Sequence, residues 1–263
     1  MSKIHTTAII EDGAKIGKNV IIGPNAFISS QSKIDDNSQI MQGAQILGDA
    51  TIGKNVRVYS YAIVGGDPQD ISFKVGEEVS KVIIGDNTTI REFVTINGGS
   101  AKGDFTTRIG ENCFIMNFCH IAHDCLLHDN IILANGATLA GHIKVGKNTV
   151  IGGMTPIHQF VKIGEGCMIA GASALSQDIP PFCLAEGNRA SVKGLNLIGL
   201  RRNENKDDIL ALQDAYRKIF KNQAPIKDSA TELLNSTKNE KVRVFCQFII
   251  DTKRGIPFER SQS

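Results

Sequence analysis

The 263-residue sequence predicts an all-β fold with an α-helical tail: a parallel β-helix of hexapeptide repeats over residues 1–187, followed by a helical C-terminal domain over 188–263. Three observations predict it. An aliphatic residue recurs at every sixth position, a small or β-branched residue follows each of them by four, and the spacing turns helical near Lys206. The aliphatic series runs from Ile4, Ile10 and Ile16 to Val64, resumes at Ile84, Ile90 and Ile96, and resumes again from Ile109 to Leu175, 26 hexads in all. The small slots hold Ala8, Ala14, Val20, Ala26, Ser32, Ser38 and their successors. Two inward positions per six residues match neither a 3.6-residue helix nor strict alternation, but they match short flat strands joined by sharp turns. Three such sides close a triangular coil, so residues 18 apart stack about 4.8 Å from one another. The 26 hexads then make about nine coils and a prism roughly 40 Å tall.

The turns carry IGKN at Ile16 and Ile52, IGDN at Ile84, IGEN at Ile109 and VGKN at Val145. Gly and Asn are the residues for which a positive φ costs little. The repeat does not set the handedness, since parallel crossovers are right-handed as a rule. Two insertions, residues 65–83 and 97–108, interrupt the series, and loops of a solenoid often form its binding face. After Leu175 the hexads stop and the run SQDIPP closes the prism. From Lys206 onward Ile209, Leu212, Tyr216, Ile219 and Phe220 share one helical face, with Asp207 as the expected cap; shorter helices are expected near 229–236 and 240–251.

Composition narrows the function. A net charge of +2 does not suit a nucleic-acid binder, although residues 188–263 alone carry a local +6. No apolar run is long enough to span a membrane and the first residues lack a targeting pattern, so the expectation is a cytoplasmic protein. Cys113, Cys119, Cys125 and Cys167 fall in the inward small slots and are expected to pack as small hydrophobes. Cys183 and Cys246 are isolated, and a cytoplasmic chain does not rely on disulfides.

Five histidines, His120, His123, His128, His142 and His158, cluster within 39 residues, none of them in an inward slot. His123 lies beside a turn and is followed by Asp124. Counting by 18 places Gly141 and then Gln159 on its column. A neutral imidazole there would accept a proton near pH 7, Asp124 would orient the ring, and a backbone N–H at Gly141 would hold a developing oxyanion. Outward histidines on a β-helix also suit a zinc site, as in γ-type carbonic anhydrases. Against this, the residues 18 after His120, His123 and His142 are Thr138, Gly141 and Phe160, so the columns provide no second ligand. No metal is therefore expected. A non-catalytic scaffold would explain the repeat, but not the loops, the histidines or the basic tail.

The segments HIAHDC (120–125), LAGHIKV (139–145), IGGMTPIHQF (151–160), QDIPP (177–181) and EGN (186–188), with the helical tail, closely resemble the UDP-N-acetylglucosamine O-acyltransferases that begin lipid A synthesis. The resemblance spans essentially the whole chain. It implies a left-handed prism and a homotrimer with active sites between subunits. It also implies an (R)-3-hydroxyacyl donor carried on the phosphopantetheine of acyl carrier protein, with no bound cofactor. The residue matching His123 is the family's general base, with Asp124 as its partner and Gly141 as the oxyanion-binding glycine. Asp70, His120, His142 and Gln159 match nucleotide-sugar contacts. Asn196, Arg201 and Arg202 match the region that binds diphosphate and the carrier's phosphopantetheine, and Gly171 matches the floor of the acyl groove. The chain departs from the family at Ser72, where the pattern has Lys, at Asn97, where it has His, and at Ile198 and Asn203. These departures touch the sugar and diphosphate side and leave open whether the acceptor is the sugar's 3-hydroxyl or a 3-amino analogue.

Overall fold

The computed structural model describes residues 2–74, 76 and 80–258. Every hexad but the last, at Leu175, contributes a short strand, most of two residues and ending on or just past its aliphatic residue, as in Lys3–Ile4, Ile9–Ile10 and Lys15–Ile16. Among the described residues the strands form three sheets of eleven, eight and eight members, each built from every third strand, with two further consecutive strands added at the C-terminal end of the first. Register follows the 18-residue period, with Ile4 opposite Ile22, Ile10 opposite Ile28 and Ile16 opposite Ile34. The three sheets are the sides of a triangular prism whose columns of Ile, Val and Leu are fully buried from Ile22 to Ile169, with Ala, Ser, Thr and Cys in the small slots. All six cysteines are free and buried. Burial drives the Cys125 and Cys167 thiols up to about 12, so they are inert fillers.

The turns correct one expectation. Asn19, Asn55, Asn87, Asn112 and Asn148 do take a positive φ near 55–59°, but the glycines two residues before them do not. At Gly53 an added Cβ would stand 2.9 Å from the Ile84 carbonyl oxygen and 2.5 Å from Asp86 Oδ1. Glycine is needed there because the next coil passes too close for a side chain. Asp36, Asp86 and Asp129 use that approach: each accepts a backbone N–H from the coil below, from Lys18, Lys54 and Glu111.

The insertions are shorter than the break in the repeat. Strands Ile63–Gly66 and Lys81–Ile84 leave a loop of 67–80, within which residues 75 and 77–79 lie outside the described residues. Strands Thr95–Asn97 and Thr106–Ile109 leave a second loop of 98–105. At the far end Cys183–Glu186 adds in parallel to Met168–Ile169, then pairs antiparallel with Ser191–Leu195, which ends the parallel coil.

Among the described residues four helices follow: α1 (Leu197–Asn203), α2 (Lys206–Phe220), α3 (Ile226–Ser236) and α4 (Glu240–Asp251). The last three match the expected helices, while α1 was not anticipated because seven residues contain too little periodicity to register. The cap of α2 is Asn205, whose side chain accepts from the Asp208 N–H; Asp207 sits in the first turn instead, where its charge favours the helix dipole. Leu212, Ala215, Ile219 and Phe220 of α2 are buried, and Phe220 packs edge-on to Phe245 of α4 at 6.2 Å.

Candidate active site

Of the five histidines expected to cluster, His123 and His142 meet at the corner between strands His120–Ile121 and Leu126–Leu127, with His120 on the adjoining strand; His128 and His158 are exposed, and His158 Nδ1 instead lies 3.2 Å from Arg254 Nη2. Ile121 and Cys125 enter the core on either side, and Asp124 takes φ 60° to turn the chain between them. His123 lies outside the core and is nonetheless only 9% exposed, with Gly141 and His142 of the next coil packed against its ring. Its column neighbour is Gly141, as the 18-residue count predicts: a Cβ on Gly141 would come within 2.6 Å of His123 Cε1 and 2.8 Å of Nε2. The Gly141 carbonyl accepts from the Phe160 N–H. The buried Gly141 N–H donates to no group among the described residues.

His123 Nδ1 lies 2.8 Å from Asp124 Oδ2. A carboxylate only accepts, so Nδ1 carries a proton, and in the neutral ring Nε2 is the nitrogen with the lone pair. Asp124 is in turn held from the second loop, since Oδ1 accepts from the Ser100 N–H (2.9 Å) and Oδ2 from the Ser100 hydroxyl (2.7 Å). The backbone of Asp124 donates to Thr107 Oγ1 at 2.9 Å. Sequence reasoning missed Ser100 because loop 98–105 has no repeat to count along. Its one advance signal was its place inside an insertion.

Column counting also left out the diagonal neighbour. His142 meets the His123 ring edge-on at 5.1 Å, and its Nε2 lies 3.7 Å from Asp124 Oδ2. The other face of His142 stacks on Phe160 at 4.5 Å. The expectation that no second ligand stands near His123 is therefore corrected, since ligand atoms of His123, Asp124 and His142 lie within 4.8 Å of one another. Both Asp124 oxygens already accept hydrogen bonds, three in all, which a cation would have to displace. The cluster is built as a hydrogen-bonded relay.

The other sequence-predicted residues fall into two places. Near the cluster, His120 shares a 2.7 Å hydrogen bond between Nδ1 and Thr95 Oγ1, and burial lowers its pKa. Burial likewise lowers that of His142. Asp70 reaches across from the first loop, where Lys102 Nζ (2.7 Å) and the Ser72 N–H and hydroxyl (2.9 and 2.8 Å) hold its carboxyl well below the usual range. Asn97 anchors the base of that loop, its Nδ2 donating to the Asp67 carbonyl at 2.7 Å while its buried Oδ1 has no partner among the described residues. Gln159 is exposed. Gly171 lies on the Gly153 column as counted, where an added Cβ would stand 3.3 Å from the Gly153 carbonyl oxygen.

The second place lies at the C-terminal end. Asn196 caps α1 by accepting from the Gly199 N–H, and donates to the Gly166 carbonyl, both at 3.0 Å. It lines a cavity of about 290 Å³ together with Lys147, Glu165, Phe182, Glu204 and Lys241. Arg201 and Arg202, in the last turn of α1, are exposed and do not line it.

Comparison with known proteins agrees with this architecture. Residues 178–257 match the family model described as UDP N-acetylglucosamine O-acyltransferase, domain 2, and residues 31–66 and 106–141 match the bacterial transferase hexapeptide model. The chain is 55% identical over 262 residues to the acyl-(acyl carrier protein) UDP-N-acetylglucosamine O-acyltransferase of Campylobacter concisus, covering all of both chains. It is 60% identical over 263 residues to that of Campylobacter jejuni subsp. jejuni, covering 100% of this chain and 99% of the relative. It also superposes on the solved UDP-N-acetylglucosamine acyltransferase from Campylobacter jejuni with a TM-score of 0.94 at 60% identity, over 98% of this chain and 100% of that one. The prism is accordingly a left-handed parallel β-helix.

Proposed function

The chain belongs to the UDP-N-acetylglucosamine O-acyltransferase family, and from that premise we propose how its residues carry out the transfer of an acyl chain from acyl carrier protein to UDP-N-acetylglucosamine. His123 Nε2 takes the proton of the sugar 3-hydroxyl as the oxygen attacks the thioester carbonyl. The carbonyl oxygen gains negative charge opposite the free Gly141 N–H. The C–S bond then breaks, and the proton on His123 passes to the departing phosphopantetheine thiol, so the base ends neutral. Asp124, fixed by Ser100, keeps the imidazole in the tautomer that leaves Nε2 free. The observation that carries this reading is the pairing of a carboxylate-held imidazole with an unpartnered buried N–H on the next coil.

Asp70, His120, His142 and Gln159 contact the nucleotide sugar, and Ser72 and Asn97 shape the acceptor end. Arg201 and Arg202 offer exposed positive charge to the acidic carrier and its phosphopantetheine phosphate. The purified protein, incubated with a 3-hydroxyacyl carrier protein and either UDP-N-acetylglucosamine or its 3-amino analogue, is expected to release free carrier thiol together with one acylated sugar. Absence of thiol release with both acceptors would overturn the proposed activity.

Self-association has a surface of its own. Tyr61, Phe93 and Phe118 stack in one column with ring separations of 5.5 and 5.2 Å, although they are 48%, 48% and 60% exposed. All three take φ near 60°, which is unfavourable for bulky residues. A second copy of the chain covers this column in the homotrimer. Phe93→Asp combined with Phe118→Asp is expected to convert the trimer to monomer in analytical ultracentrifugation; a double variant that still sediments as a trimer places the interface elsewhere.

Gly171 leaves the edge of the acyl groove open. With backbone only 3.3 Å from its Cβ position, a long side chain there has to extend along the groove. Gly171→Met is expected to shorten the preferred acyl chain by several carbons in a donor-length series. An unchanged length profile would remove Gly171 from this role.

A further inference from the structure

An ion pair links the two insertion loops. Lys102, from the second loop, places Nζ 2.7 and 3.1 Å from the two carboxylate oxygens of Asp70 in the first. The pair is lopsided: the Asp70 side chain is 10% exposed and that of Lys102 is 58% exposed. The carboxylate is closed in beneath the lysine, while the ammonium faces outward. Two of its three N–H groups point at Asp70, and the third is left for another acceptor.

The position of Lys102 is tied to the histidine cluster. Its backbone N–H donates to Ser100 Oγ at 3.3 Å, the hydroxyl that donates to Asp124, which in turn holds His123. The charges of Lys102 and Asp70 are both felt by the His142 imidazole. The pair closes in the Asp70 carboxylate yet leaves the Lys102 ammonium open to water on its outer side, which makes that ammonium accessible to an anionic ligand. A substrate bearing a diphosphate is such a ligand: Asp70 alone would repel it, whereas Lys102 cancels that charge and presents a donor.

We propose that Lys102 is a substrate-binding residue that holds the diphosphate of the nucleotide sugar at the mouth of the histidine cluster, with Asp70 positioning its ammonium. This rests on the acyl-transfer reading above. Lys102→Met is expected to raise KM for UDP-N-acetylglucosamine about tenfold or more, the loss of one charge-assisted contact, while kcat changes less than twofold and KM for the acyl carrier stays the same. Because Ser72 Oγ is 2.8 Å from the same Asp70 oxygen, Ser72→Lys is expected to restore most of the lost affinity in the Lys102→Met background.

Calorimetry separates a phosphate contact from a collapsed loop. Lys102→Met is expected to weaken binding of UDP while binding of uridine is unchanged. An unaltered KM for the sugar, an increase confined to the acyl carrier, or equal loss of UDP and uridine binding would each overturn the proposal. If the wild-type protein transfers no acyl group, the activity reading fails, and the UDP and uridine titrations still decide the role of Lys102.

Discussion

His123→Ala is expected to slow acyl transfer by about 10²- to 10⁴-fold, the usual contribution of a general base, while the protein keeps its fold and assembly. The separation of chemistry from stability follows from where the side chain sits. The core at this corner is built by Ile121 and Cys125, both buried, and removing the imidazole removes none of their contacts. Asp124 does not become an unpaired buried charge, because the Ser100 N–H and hydroxyl continue to hold both of its oxygens. What disappears is the group proposed to take the acceptor's proton over Gly141. The residual rate would come from substrate positioning and the Gly141 N–H, neither of which is altered. Turnover measured beside thermal melting tests this, and a variant retaining more than half the wild-type rate would exclude His123 as the base.

Gly141→Ala is expected to cost on the order of 10²-fold in kcat, the effect of about 1 Å of misplacement at a reacting centre. A single methyl achieves this because the new Cβ would lie 2.6 Å from His123 Cε1 and 2.8 Å from Nε2. The ring has nowhere easy to go, being held by Asp124 on one side and faced by His142 at 5.1 Å on another. Moving it lengthens the 2.8 Å bond to Asp124 or turns Nε2 away from the acceptor. Gly141 does not adopt a positive φ, so the substitution carries no backbone penalty to confuse the result. Its N–H is also retained, so the loss would report ring placement rather than loss of the oxyanion donor. Wild-type kcat in Gly141→Ala would show that the ring can shift without consequence and that the stacking carries no catalytic meaning.

The site was legible in proportion to its regularity. His123 over Gly141 was found by counting 18, since within the uninterrupted repeat a separation in sequence converts directly to one in space. The same counting missed His142 beside His123, because a column describes only vertical neighbours and this contact is diagonal. It missed Ser100 and Lys102 altogether. Those two belong to a loop whose path is set by hydrogen bonds to Asp124 and an ion pair to Asp70, partners 24 and 32 residues away with no period linking them.

The sequence by itself determined the prism, its buried columns, the inert cysteines, the three longer helices and the stacking of His123 over Gly141. Each of these follows from a pattern repeated often enough that burial of apolar side chains admits one arrangement. Only the tertiary structure decided the rest. It joined the loops through Lys102 and Asp70, fixed Asp124 from Ser100, formed the short helix α1, and showed that turn glycines such as Gly53 are required by the adjacent coil rather than by their own φ. These features depend on close approach between segments without common periodicity, where one hydrogen bond or one missing Cβ settles the geometry and no repeat foretells it.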